Sequence, residues 1–111
     1  MKSALLLLAA LALATPALAQ NAAQIAHAKA GSSCPGCNLF QADFASADLT
    51  HSSFVGAFLQ GANFSGAKLV GTNFSGAEMD RASGLTQHQL DEACGDSSTK
   101  LPAALHLPAC R

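Results

Sequence analysis

The sequence predicts an all-β repeat architecture with a small helical cap at its C-terminal end. Three observations carry that expectation. Residues 37–81 divide without a slip into nine consecutive units of five residues. The middle residue of every unit is large and apolar, and the residue two places before it is small. After the ninth unit the pattern gives way to helix-starting signals. A period of five fits neither the roughly 3.6 residues per turn of an α-helix nor simple strand alternation. Residues two apart still face the same way in extended chain. Each unit therefore reads as a short extended pair followed by a turn.

The units are CNLFQ, ADFAS, ADLTH, SSFVG, AFLQG, ANFSG, AKLVG, TNFSG and AEMDR. Their centres are Leu39, Phe44, Leu49, Phe54, Leu59, Phe64, Leu69, Phe74 and Met79. Two places earlier stand Cys37, Ala42, Ala47, Ser52, Ala57, Ala62, Ala67, Thr72 and Ala77. Gly56, Gly61, Gly66, Gly71 and Gly76 close five of the units, where a corner needs backbone angles that other residues avoid.

This unit resembles that of the pentapeptide-repeat family, A-(D/N)-L-x-x. The ending from Leu85 to Cys110, LTxxQLDEACGD followed by LPAxLxLPxC, looks like the tail of its secreted bacterial members. The resemblance implies a short right-handed quadrilateral β-helix with four units per coil, here about two coils. Residues twenty apart would then lie on one another. Leu39 would stack on Leu59 and Met79, Leu49 on Leu69, Phe44 on Phe64, Phe54 on Phe74, and Ser52 on Thr72. The alternation of centres would build leucine ladders and phenylalanine ladders on alternate faces.

Residues 1–19 read as a secretory signal peptide. Met1-Lys2 is a positive start, Ala4 to Ala14 is apolar, Thr15-Pro16 breaks the run, and Ala17-Leu18-Ala19 is a small-x-small cleavage site. The apolar run is short for a bilayer span. Gln20 stands where a lipoprotein would carry cysteine, so no stable membrane anchor is expected. A periplasmic or secreted location follows. From Gln20 onward the chain carries five Lys and Arg against seven Asp and Glu, with no basic patch. That balance argues against nucleic acid and anionic lipid as partners.

Residues 20–36 form a lead-in. Ala22–Ala30 could form a short helix or a frayed segment, and His27 is expected on the surface. Cys34-Pro35-Gly36-Cys37 has three readings. As a redox pair it lacks the βαβ context of such motifs. As half a zinc site it lacks a second pair, since Cys94 and Cys110 are not spaced as C-x-x-C. Haem attachment fails because Asn38 follows. A structural disulfide suits an oxidising compartment. Cys37 also opens the repeat frame, so its sulfur should point into the coil, poorly placed for thiol exchange.

Positions flanking the centres are mostly polar, and Asp48 would lie above Lys68. Phe40, Val55, Phe58 and Val70 break that pattern. Phe40 and Phe58 fall on one face, one coil apart. These four are a candidate interaction surface, or else an area covered by the terminal segments.

Residues 82–111 should close the repeat. Thr86 suits an N-cap, Gln89 holds the capping-box position, and Leu85 with Leu90 form a hydrophobic staple. Leu90, Ala93 and Cys94 share a face, and Gly95 is a stop. A helix of about two turns is expected, because an uncapped solenoid leaves apolar surface and strand edge exposed. Asp96 to Arg111 reads as an extended tail marked by Pro102 and Pro108. Four cysteines allow three pairings. The expected one joins Cys34 to Cys37 and Cys94 to Cys110.

The functional expectation is an exported, non-enzymatic structural or protein-interaction module, without cofactor or metal. Its partner would be a protein, with pairing of two chains left open. His51, His88 and His106 lack a nucleophile placed by any recognisable motif. The alternative is a periplasmic redox or metal-binding protein acting through Cys34 and Cys37. A third reading comes from the resemblance: some family members mimic DNA and bind gyrase. Those are cytosolic, longer and strongly acidic along one face, unlike this chain.

Overall fold

The computed structural model describes residues 21–111. The expected signal peptide and its cleavage site lie outside the described residues.

Repetition at the sequence level becomes repetition in space through the backbone. Parallel bridges join Asn38 to Phe58, Asp43 to Asn63, Asp48 to Lys68 and Ser53 to Asn73, then Phe58 to Glu78 and Asn63 to Ser83. Every one of these pairs is twenty residues apart, so each coil of twenty residues has four bridge positions. The bonds repeat with the same geometry. Phe58 donates its N–H to the Cys37 carbonyl at 2.9 Å, and Leu39 donates to the Phe58 carbonyl at 2.8 Å. The predicted twenty-residue register is therefore the observed one.

The all-β expectation does not carry over as written. Among the described residues the coils are held by isolated bridges rather than strands, and the named elements are two short helices. The reason is local. Each bridge residue is followed two places later by a turn, so no ladder runs long enough to make a strand. Within a side, the small residue donates back to the preceding centre, as Ala42 does to Leu39 at 3.0 Å and Ala47 to Phe44 at 3.0 Å. The last residue of each unit then adopts positive φ. Gly56 and Gly66 do so at 68° and 67°, but so do Gln41 at 56°, Ser46 at 61°, His51 at 61° and Arg81 at 66°. The corner is thus a property of the position, and glycine merely occupies it with least strain.

The centres form the core. Phe44, Phe54, Phe64, Phe74, Leu39, Leu49, Leu59 and Met79 are fully buried, and Leu69 nearly so. Phe44 stacks on Phe64 at 5.5 Å and Phe54 on Phe74 at 5.7 Å between ring centroids. The two ladders also meet each other inside the coil, Phe64 touching Phe74 edge-on at 6.0 Å. The buried hydroxyls are satisfied. Thr72 donates to the Leu49 carbonyl at 2.8 Å and Ser52 to the Gly31 carbonyl at 3.2 Å.

Helix α1 (Ala22–Lys29) closes the N-terminal end. Its N-cap is Asn21, whose side chain accepts from the Gln24 N–H, and its Ala28 is fully buried. The ladder begins directly after it. Cys34 donates to the Ser53 carbonyl and Gly36 to the Val55 carbonyl, both at 2.8 Å. Cys34 thereby takes the place of a centre one coil before Phe54.

At the C-terminal end the chain leaves the register after Ser83. Helix α2 (Gln87–Asp91) carries the expected capping box between Thr86 and Gln89. Leu90 is fully buried, twenty-one residues after Leu69. The helix spans five residues, not two turns. It stops because the chain must return to the coil. Glu92 accepts from the Gly71 N–H at 2.7 Å, and Cys94 bridges to Asn73. The tail is not a simple extended segment either. Lys100 bridges to Glu78 and begins a fourth layer, after Asn38, Phe58 and Glu78 on the same side, and Ala109 continues it by bridging to Gly95.

Candidate functional site

The CPGC stretch sits where α1 meets the first coil. Cys34 and Cys37 form a disulfide with their Cα atoms 5.5 Å apart. Sequence reasoning pointed to Cys37 as the sulfur turned into the coil. The structure packs Cys37, half-buried, against the core, and buries Cys34 further still, to 3% exposure. The physical reason is the register: Cys34 is itself a centre, one unit earlier than the repeat is legible. Beside the disulfide lies an open groove of about 380 Å³ lined by Ala23, Gln24, His27, Ser33, Cys34, Pro35 and Cys37. Gln24 is committed to structure, since its Oε1 accepts from the Asn38 N–H at 2.7 Å. The Cys34 sulfur lies 3.9 Å from the Gln24 carbonyl, whose negative end would disfavour a thiolate, whereas reactive thiolates need a cationic neighbour or a helix N-terminus. No group of three or more His, Cys, Asp or Glu among the described residues is arranged to hold a metal.

The second disulfide joins Cys94 to Cys110, with Cα atoms 4.8 Å apart. It ties the fourth layer to the third.

The apolar outer residues do not make one patch. Phe40 and Phe58 stack on one face, 5.5 Å between centroids and 9° between planes, and each is half-buried. Gln60 and Asp80 continue that face, the Gln60 amide donating to both Asp80 carboxylate oxygens at 3.2 and 2.9 Å. Val55 and Val70 lie on two other sides and are 41% and 42% exposed. His27, His51, His88 and His106 are all exposed. His51 lies across Gly71 of the next coil, where any side chain would collide with its ring.

Outside the coil a second motif recurs. Asp43, Asp48, Asn63 and Asn73 each accept, through Oδ1, the backbone N–H two residues on. Asp96 does the same with Ser98 and also accepts from the Gly76 N–H at 3.1 Å. The Ser98 hydroxyl at 2.6 Å, then the Gly76 and Ser98 N–H groups, hold the Asp96 carboxyl below the usual carboxylate range. Asp48 is lowered likewise, chiefly by the Thr50 hydroxyl and N–H, with Lys68 a lesser cause. Asp96, Ser98 and Thr99 escaped sequence reading as parts of a coil. The signal was present: Asp96-x-Ser98 has the spacing of Asn63-x-Ser65 and Asn73-x-Ser75.

A family profile described as pentapeptide repeats matches the chain in eight copies, over residues 30–61, 42–81 and 59–93. The chain belongs to the pentapeptide-repeat family. No curated protein and no solved structure matches it.

Proposed function

We propose that this chain is an exported, non-enzymatic pentapeptide-repeat module that acts through its outer faces as a structural or protein-binding element. The proposed form is the right-handed quadrilateral β-helix of its family. The observation that carries the reading is how the chemistry is spent. Both cysteine pairs are tied in disulfides at the two ends of the coil, and the coil interior is apolar. What remains available is a set of regular outer faces, with Val55 and Val70 exposed and Phe40 stacked on Phe58. Export is consistent with the leader-like residues 1–19 and with disulfides, which persist in oxidising compartments.

The test has two parts. Intact mass of the protein recovered from an exported fraction is expected to start at Gln20 and to resist thiol alkylation until reduction. A chain retaining residues 1–19 in the cytosol overturns export. Phe58→Ser is expected to leave partner binding impaired with the fold intact; loss of stability alone would mean that the aromatic pair serves only the coil.

A redox reading through Cys34 and Cys37 has one observation in its favour, the groove beside their disulfide with His27 in its lining. The burial of Cys34 weighs against it. Labelling of either cysteine without prior reduction would reverse that preference.

A further inference from the structure

The C-terminal layer differs from every other layer in how it is held. Coil two is bridged to coil one at four positions and to coil three at three, but only Glu78 and Gly95 bridge onward from coil three. Residues 105–111 instead reach their seat across the turn at Pro102–Leu105, with Ala104 at φ 70°. Four hydrogen bonds to Gly95 and Gln87, and one from the Ser75 hydroxyl to the Cys110 sulfur at 3.5 Å, hold the segment. Gly95 donates to the Pro108 carbonyl at 2.9 Å, and Cys110 donates to the Gly95 carbonyl at 3.1 Å. The Gln87 side-chain amide pairs with both backbone groups of His106, at 2.9 and 3.0 Å. Leu105 and Leu107 are half-buried against the core, and Leu107 lies over the buried Gly95. The remaining link is covalent, Cys94 to Cys110. Partly exposed hydrogen bonds each contribute modestly, so the disulfide decides whether this layer stays seated.

We propose that Leu105–Arg111 is a redox-gated strap: reducing Cys94–Cys110 frees it, and the seat over Gly95 then accepts the same segment of a second copy of this chain. The seat is specific for its occupant. It offers one backbone donor and one acceptor at Gly95, an amide fork at Gln87, an apolar floor, and a cysteine in register with Cys110. A strap that fits its own chain fits an identical chain equally well, which is the condition for exchange between protomers. The chemistry balances. A small dithiol supplies two electrons and two protons, becoming a disulfide as Cys94 and Cys110 become thiols. Glutathione disulfide later accepts them, yielding two glutathione thiols, as the protein disulfide re-forms within or between chains.

The test uses the full chain. Ordinary and isotope-heavy protein are mixed, reduced in native buffer, reoxidised with glutathione disulfide and digested with trypsin, which separates the Cys94 and Cys110 peptides at Lys100. The expected result is heavy–light linked pairs of those two peptides, rising with protein concentration, with a doubled molecular mass. Only heavy–heavy and light–light pairs at every concentration would overturn the proposal. So would Cys34 or Cys37 appearing in the cross-links, since that is general scrambling. Amide exchange on the Cys94→Ser, Cys110→Ser chain gives an independent reading. Gly95 should exchange faster by about tenfold or more while Leu39 and Phe54 stay protected. Unchanged Gly95, or loss of protection throughout the coil, removes the gate.

Discussion

At the residue scale, two positions in each unit do most of the work. The buried centre supplies packing. Phe64 touches Phe44 below it and Phe74 across the coil. Its removal opens a cavity that neighbouring coils cannot collapse into without losing their hydrogen bonds. Phe64→Ala is expected to cost about 3–5 kcal/mol in a denaturant titration. The closing residue supplies the corner, at a strain of roughly 1–2 kcal/mol where it is not glycine. Ser46 stands at φ 61°. Ser46→Gly should therefore stabilise by about 0.5–1 kcal/mol, the left-handed strain outweighing the extra freedom glycine has when unfolded. The reverse change is instructive at Gly71. Gly71→Ala is expected to destabilise through both its φ of 69° and collision with the His51 ring. Adding His51→Gly should restore part of the loss, so the two changes will be non-additive in a double-mutant cycle.

At the scale of elements, the ends decide whether a short coil persists. Gln89 links cap and coil. Its Oε1 accepts from the Thr86 N–H at 2.8 Å, while its Nε2 donates to the Phe64 and Ala67 carbonyls at 2.9 and 3.0 Å. The Phe64 carbonyl also accepts from the Ala67 N–H, but the Ala67 carbonyl stands where those of Ala42 and Ala47 accept from the next coil. Gln89→Ala should cost about 1–3 kcal/mol, since it removes the side-chain half of the capping box and the donor to the Ala67 carbonyl, while the Phe64 carbonyl keeps the Ala67 N–H. Asp96 closes the third layer by a different means. Its carboxyl is held below the ordinary value of about 3.9 by bonds that exist only in the folded chain. A depressed folded value means that the contribution is present above the unfolded value and lost as pH falls through the folded one. The wild-type chain should therefore weaken below about pH 4 more steeply than Asp96→Asn, by melting temperature against pH.

At the scale of the molecule, the legible repeat spans just over two coils of twenty residues, and its ends are correspondingly important. The five-residue pattern was enough to mark which residues are buried, and the family resemblance supplied the twenty-residue register in which Phe44 stacks on Phe64 and Phe54 on Phe74. The capping box at Thr86 and Gln89 was equally legible, because it is a local pattern with a local partner. What needed the folded chain were contacts with no fixed spacing. Cys34 replaces an apolar centre, so the period was hidden by a change of residue type. Cys94 and Lys100 return to the ladder twenty-one and twenty-two residues after Asn73 and Glu78, so strict periodicity lost them. The leucines of the tail are spaced for no regular element and find their places only because the third layer is already there to receive them. Periodic order is written in the chain because each unit meets a copy of itself; the ends meet something different, and only the assembled coil says what.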